Sequence, residues 1–212
     1  KPTDVFATKM TFLPIYLRNL LAGFIAHINN GSNKIYGLPE PDHKFGATHP
    51  TINSELLYKI RHGKIQPKTE IDRFEGKTIY FKDSSSEEFD SVIACTGFEL
   101  AHPFFDKNFL NYTEGPVPLY LKMFHAEYDN LYFIGMFQPL GCIWPGAEQQ
   151  SILATLALKG LWERPSNMKT LCEREVTNPH MKQINTNRHR ITVDFHQFLK
   201  DLKKQIKKVK KT

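Results

Sequence analysis

The sequence contains few cysteines, and their spacing excludes several kinds of site. Among 212 residues the cysteines are Cys95, Cys142 and Cys172. An odd number of widely spaced cysteines without a C-x-x-C pair argues against a disulfide framework, a zinc site and a dithiol redox centre. No histidine pair has the H-x-x-x-H or H-E-x-x-H spacing of metal-dependent hydrolases, so we expect no metal site.

The sequence also lacks an apolar run long enough to cross a bilayer. The most apolar segment, residues 12–28, contains Pro14, Arg18 and His27, whereas a spanning helix needs about 20 largely apolar residues. No secretory signal is visible, and the first residue is lysine. We therefore expect a cytoplasmic chain, in keeping with its cysteine usage, whose natural N-terminus lies further upstream.

The positive charge is concentrated at the C-terminus. The formal net charge is +6, yet residues 200–211 alone carry seven lysines against one acid, Asp201. Because the rest of the chain is close to neutral, the charge does not indicate a nucleic-acid partner. From Val193 onward the apolar spacing predicts an amphipathic helix, which packs on the body of the protein or, as the less favoured alternative, lies on an anionic membrane surface.

Residues 130–160 form the most informative segment. Residues 131–134 predict a short buried strand closed by Gly135, and a helix is expected from Ala147 to Lys159, with Gly160 just after its end. A strand, a glycine turn and a helix together direct backbone N–H groups and the positive end of the helix dipole toward a ligand. The same pattern also occurs in βα units that bind nothing.

Helices are also predicted in the first third of the chain, followed by strands. Residues 11–28 have helical apolar spacing, and a short helix capped by Thr51 or Asn53 is expected to end at Gly63. Residues 64–94 contain short β-prone runs separated by turns, the last of them being residues 89–94.

The last of these predicted strands leads into a second glycine turn, at Thr96 and Gly97. Gly97 has no Cβ, which allows close approach to a ligand, although an ordinary turn explains it equally well. In a doubly wound sheet, ligands bind at the carboxyl ends of strands. Two such ends beside a helix start would suit a flat cofactor such as a flavin, whose negative charge the helix stabilises by a few tenths to ~2 kcal/mol. Gln138 and the N–H groups from Gly141 onward are hydrogen-bonding candidates.

Several short motifs occur in a fixed order between about residues 35 and 160. They are Tyr36-Gly37-Leu38-Pro39 with Pro41-Asp42-His43, His49-Pro50-Thr51 with residues 53–57, Asp90 with residues 94–98, Asn130-Leu131 with Phe133-Ile134-Gly135, Gln138-Pro139-Leu140-Gly141, and residues 147–151. Each motif is weak alone, but their order and spacing resemble the C-terminal half of a flavin-containing monooxygenase, a family with Baeyer–Villiger relatives. Thr192-Val193-Asp194-Phe195 is similar to the tail of the same family.

The resemblance implies an α/β protein with two Rossmann-like dinucleotide-binding domains, present here only as their C-terminal part. Residues 1–88 would end the NADPH-binding domain, and residues 89–164 would return to the FAD-binding domain. Residues 165–212 would form a C-terminal extension with a basic amphipathic helix. The implied cofactors are FAD and NADPH.

The resemblance also implies cofactor-binding residues in two turns. Thr96, Gly97 and Phe98 would link the two domains, with Cys95 where the family usually has alanine. The turn that touches the flavin would contain Gln138, Pro139, Leu140 and Gly141. No catalytic residue is assigned in this chain, because the active-site asparagine of the family corresponds to a position upstream.

The reaction that the resemblance implies is monooxygenation. NADPH reduces FAD, O₂ binds, and a flavin C4a-hydroperoxide transfers one oxygen atom to a soft nitrogen or sulfur atom, or to a ketone in the Baeyer–Villiger relatives. The partners would be O₂ and a small-molecule substrate. The cofactor performs the chemistry, and the protein orients it and keeps water out.

One departure from the family keeps an alternative open. The family has two G-x-G-x-x-G fingerprints that hold the cofactor pyrophosphates, and none occurs in these 212 residues. The alternative is therefore a truncated, non-catalytic remnant that lacks both fingerprints. A disulfide reductase of similar architecture is disfavoured because the sequence has no C-x-x-C.

Overall fold

The computed structural model describes residues 14–48, 53, 55–139, 141–179, 186 and 189–209. The chain divides into two compact units, Lys1–Gly97 and Phe98–Thr212. Helices and strands occur in both units. The α/β class expected from the sequence is confirmed at this level.

The first unit begins with helices. Helix α1 spans Ile15–Asn30 and is followed by a short 3-10 helix, Asn33–Tyr36, and by helix α2, Leu56–Arg61. The Asn53 side chain accepts hydrogen bonds from the N–H groups of Glu55 and Leu56, both at 2.8 Å, which is the predicted cap. The other cap candidate, Thr51, and the first residues of the predicted helix 11–28 lie outside the described residues.

A small antiparallel sheet follows in the first unit. Its strands are β1, Ile71–Glu75, β2, Thr78–Phe81, and β3, Ser86–Glu88, in the order β1-β2-β3. Only the central strand has alternate side chains buried, those of Ile79 and Phe81. The sheet is thus a meander in which residues two apart on β2 face the interior.

The strand predicted over residues 89–94 is wrong. These residues have no strand assignment, and Ile93 is 84% exposed. A strand exists only where a neighbouring strand supplies hydrogen bonds. Phe89 donates its N–H to the carbonyl of Lys77 at 2.9 Å, but no strand pairs with residues 90–94 in the described segments. Residues 89–94 have a composition that favours strands, but a strand also requires hydrogen bonds to a neighbouring strand.

The second unit contains the larger core. Its elements are β4, Gln138–Pro139, α3, Trp144–Leu158, α4, Met168–Thr177, β5, Thr192–Val193, and α5, Phe195–Ile206. The strands β4 and β5 are parallel, with Gln138 opposite Thr192 and Pro139 opposite Val193. In the part of the chain that the structure describes, this is the only parallel pair, so two Rossmann-like domains are not visible in it.

Helix α5 packs its apolar side into this core. Phe198 and Leu202 are fully buried, whereas Lys203 and Lys204 are exposed. The packed arrangement that the sequence favoured is therefore present. Contact of the lysine side with a membrane stays a prediction. None of the helices in the described segments is both long and apolar enough to cross a membrane.

The strand predicted over residues 131–134 is also wrong. Only Tyr132 takes part in a β-bridge, an isolated one to Phe124, and Ile134 is exposed. The helix predicted from Ala147 is confirmed but begins earlier, at Trp144. Gly160 stands just past its end, as expected, at φ +67° with its N–H donating to the carbonyl of Ala157.

Candidate functional site

The glycine turn, defined here as residues 135–141, connects the Tyr132 bridge to helix α3. Its Gln138 N–H donates to the carbonyl of Ile191 at 2.8 Å, and Pro139 is buried. Gly141 has φ +136°, a conformation that side-chain-bearing residues rarely adopt, and a Cβ placed there would meet nothing within 4 Å. Leu140, also predicted to bind the cofactor, lies outside the described residues.

The start of helix α3 follows the glycine turn directly. No side chain caps the helix at its N-cap residue, Ile143, and its first turn contains no acidic side chain. The start of a helix carries partial positive charge. In α3 the second residue, Pro145, has no N–H, and the N–H groups of Gly146 and Ala147 donate to the carbonyl of Ile143, both at 3.1 Å, so this end acts mainly through the helix dipole. An anionic or hydrogen-bond-accepting edge of a ligand could therefore be bound at this end of α3.

Close packing holds the glycine turn against α3. Gly146 is buried, and a Cβ placed on it would lie 2.3 Å from Cζ of Phe137. The Phe137 ring is itself fully buried and lies 4.6 Å, centroid to centroid, from the ring of Phe198. Gly146 is required because the Phe137 ring occupies the space of its missing side chain.

Gln150, a fully buried side chain of α3, ties the turn to the rest of the unit. Its Oε1 accepts a hydrogen bond from the Gly135 N–H at 2.8 Å. Its Nε2 donates to the carbonyl of Leu121 at 3.0 Å. A buried amide with both ends bonded avoids the cost of an unsatisfied polar group.

The Leu121 turn, defined as residues 119–124, has an unusual backbone. Leu121 and Lys122 have φ values of +53° and +54°, which cost of order 1–3 kcal/mol for residues with side chains. Glu175 of α4 accepts from the Leu121 N–H at 3.2 Å and lies 3.8 Å from Nζ of Lys122. These contacts hold the turn in its strained conformation.

The Lys122–Glu175 pair is buried, and burial affects the titration of Lys122. Removal from water lowers the pKa of Lys122 below its ordinary value of 10.5, and the nearby Glu175 carboxylate partly opposes this shift. Desolvation disfavours a charged ammonium group, whereas a neighbouring carboxylate favours it. The stability of this core therefore depends on the protonation of Lys122.

The other predicted cofactor residues, Thr96, Gly97 and Phe98, are exposed. Gly97 has φ +94° with open space where a Cβ would be, and Phe98 is fully exposed. These residues lie at the boundary of the two units. Their geometry leaves room for a ligand, and their part in cofactor binding stays a prediction.

The sequence missed the residues that hold the glycine turn in place. In the sequence, Gln150 stands out only as part of the motif at residues 147–151, and no motif or spacing marks Leu121, Lys122 or Glu175 as residues of a site. Gln150 stands in a polar run between Glu148 and Ser151, so its composition gives no sign of burial. Its partners are backbone groups, which no sequence pattern marks.

Comparison with known proteins gives the family. The model of a family described as flavin-binding monooxygenase-like matches residues 6–211. The chain belongs to this family. The resemblance found in the sequence is thereby confirmed.

Individual relatives agree with this assignment. Flavin-containing monooxygenase 5 of Rattus norvegicus is 34% identical over 168 residues, covering 77% of this chain and 31% of the relative. Flavin-containing monooxygenase 5 of Homo sapiens is 30% identical over 175 residues, which cover 80% of this chain and 32% of the relative. Dimethylaniline monooxygenase (N-oxide-forming) 2 of Rattus norvegicus is 32% identical over 141 residues, which cover 65% of this chain and 26% of the relative. The chain spans about a third of the length of the curated relatives it matches.

The family consists of enzymes that use FAD and NADPH. The residues around the glycine turn are compatible with a flavin, since the positive end of the α3 dipole favours an electron-rich ring and a Cβ at Gly141 would meet nothing within 4 Å. No group of His, Cys, Asp and Glu side chains suited to a metal ion occurs in the described segments.

Proposed function

We propose that this chain is the flavin-side, C-terminal part of an NADPH- and FAD-dependent monooxygenase. Its reaction would insert one atom of O₂ into a soft nitrogen or sulfur atom of a small molecule, or into a ketone. The observation that carries the proposal is the match to the monooxygenase family over residues 6–211. The glycine turn at an uncapped helix start supports it.

When bound, FAD supplies the activation of O₂, and the protein supplies position and environment. The positive end of the α3 dipole would stabilise the electron-rich edge of the flavin. Gln138 would add a side-chain amide, while its backbone stays fixed to Ile191. The buried Phe137 and Pro139 would keep water from the back of the turn.

The domain assignment is part of the proposal. Residues 1–88 would complete a Rossmann-like NADPH domain and residues 89–164 a Rossmann-like FAD domain, with residues 165–212 as the extension. The exposed apolar side chains of Val92, Ile93 and Phe98 support this assignment, since the rest of such an FAD domain would cover them. Thr96, Gly97 and Phe98 would form the link between the domains.

The competing proposal is a non-catalytic remnant. The absence of G-x-G-x-x-G from the 212 residues favours it, because those glycines hold the pyrophosphates of both cofactors. Such a protein would bind neither FAD nor NADPH. Its lysine-rich C-terminus would bind acidic partners without specificity.

One experiment separates the two. The whole open reading frame that contains this chain is expressed, and the purified product is examined for bound flavin and for NADPH oxidation. Test substrates are a tertiary amine such as N,N-dimethylaniline, a thioether and a cyclic ketone. A monooxygenase yields a yellow protein and an N-oxide, sulfoxide or ester containing one atom from ¹⁸O₂. A colourless protein that does not oxidise NADPH supports the remnant.

A further inference from the structure

We infer that Gln150 is a positioning residue, which fixes the glycine turn to helix α3 so that the turn and the helix start present one rigid surface to the flavin. The inference rests on the proposed function. Gln150 itself is buried beneath the turn and would not touch the cofactor.

The first step is the geometry of the side chain. Gln150 projects from α3, and its Oε1 holds the N–H of Gly135, the first residue of the turn, at 2.8 Å. Gly135 is in the left-handed region, at φ +79°. Glycine adopts this conformation without strain but has many alternatives, and the bond from a side chain with no exposed atoms selects this one.

The second step is the other end of the same amide. Its Nε2 donates to the Leu121 carbonyl at 3.0 Å, and the Leu121 N–H donates to Glu175 at 3.2 Å. Gln150 of α3 thus holds the Leu121 carbonyl, and Glu175 of α4 holds the Leu121 N–H. Gln150 is therefore itself held in one orientation and cannot rotate without breaking a buried bond.

The third step is that the turn is fixed at two places. Gln150 holds Gly135, and the Ile191 carbonyl holds Gln138. The side chains and N–H groups that would face the flavin follow within a few residues. Because functional groups must be held within about 0.5 Å of their working position, loss of either attachment would move the turn relative to the helix start.

The test compares two variants of the product of the whole open reading frame, each of which lowers stability at a different place in this part of the protein. Gln150→Met keeps the length of the side chain but offers no hydrogen bond to Gly135. Leu202→Ala opens a cavity in the same core, on α5, away from the glycine turn. Thermal unfolding identifies a temperature at which both variants are folded, and all other measurements are made there.

Amide hydrogen exchange by mass spectrometry and FAD titration are then measured on the same samples. For Gln150→Met we expect exchange in the peptide containing Gly135 to accelerate about tenfold or more, FAD affinity to fall about tenfold, and the visible flavin spectrum to shift. For Leu202→Ala we expect faster exchange in α5 with an unchanged flavin spectrum.

Equal exchange at Gly135 in Gln150→Met and wild type would overturn the inference. Faster exchange with an unchanged FAD affinity and spectrum would overturn it too, since the turn would then loosen without consequence for the flavin. A wild-type protein that binds no flavin would overturn the proposed function instead, while the exchange comparison would still decide whether Gln150 fixes the turn.

Discussion

At the scale of single residues, the site depends on backbone positions that ordinary side chains rarely occupy. Leu121 and Lys122 adopt positive φ without being glycine, and Gly135 and Gly141 adopt it as glycines. Buried side chains of α3 and α4 hold two of these positions. The backbone strain therefore lies in the Leu121 turn, where the surrounding core has to maintain it, whereas the two glycines adopt their conformations without strain.

Gly146 provides the most direct test of packing under the turn. A Cβ at this position would lie 2.3 Å from the buried Phe137 ring, so Gly146→Ala should lower the free energy of unfolding by about 1–3 kcal/mol. Urea unfolding followed by fluorescence measures the change. Ser151→Ala, at an exposed position of the same helix, is the control and should stay within ~0.5 kcal/mol of wild type. A stable Gly146→Ala would show that Phe137 is not packed as described.

Substitutions of the buried Lys122–Glu175 pair should have non-additive effects on the free energy of unfolding. Glu175→Leu leaves the Leu121 N–H and Lys122 without their partner, and we expect a loss of about 3 kcal/mol. Adding Lys122→Met removes the unpaired buried charge and should restore a large part of that loss. Chemical unfolding of the two single variants and the double variant completes the cycle. Fully additive losses would mean that the two side chains do not interact.

The lowered pKa of Lys122 predicts a pH dependence of stability. Between that lowered value and 10.5, the unfolded chain binds more protons than the folded chain, so the free energy of unfolding rises with pH in this window. Below the window the lysine is charged in both states and the penalty is constant. The Lys122→Met variant should lack this rise.

The pH measurement is best made as the difference between wild type and Lys122→Met. Burial raises the pKa of Tyr112 and of Tyr120 to about 12, and their effect above about pH 10 opposes that of Lys122. The two tyrosines contribute equally to both proteins and cancel in the difference. A difference that does not change with pH would contradict the buried, pKa-shifted lysine.

At the scale of elements, the sequence predicted helices well and isolated strands poorly. The apolar spacing of α5 and the stop at Gly160 were legible because a helix forms its hydrogen bonds within one segment. The strands predicted over residues 89–94 and 131–134 failed because a strand needs a partner from elsewhere in the chain. The glycine turn was located from its glycines, but the hydrogen bonds of Gln150 to backbone groups leave no trace in a sequence.

Helix α5 allows an element-scale prediction at its N-terminus. The Asp194 side chain accepts a hydrogen bond from the Gln197 N–H at 2.9 Å and caps the helix. Asp194→Ala should cost about 1 kcal/mol in the free energy of unfolding, whereas Asp194→Asn keeps an acceptor and should cost much less. Circular dichroism during thermal unfolding measures both. Equal losses in the two variants would show that the cap does not stabilise α5.

At the scale of the whole molecule, the chain has the composition of a folded protein but only part of a family architecture. It matches the monooxygenase family over nearly its whole length and covers about a third of its relatives. Apolar side chains are exposed at residues 92, 93 and 98, and grouped exposed apolar surface is typical of a contact site. The fold class and the family were predictable from motif order, whereas the arrangement of two cofactor domains was not visible from these residues alone.

The most direct test of the account is the flavin content of the product of the whole open reading frame that contains this chain. We predict a purified protein with stoichiometric, non-covalent FAD that NADPH bleaches and O₂ restores. Gln138→Ala in the same protein should weaken FAD binding with little change in the unfolding temperature. A colourless product, to which added FAD and NADPH do not bind, would contradict the monooxygenase account and leave the remnant as the explanation.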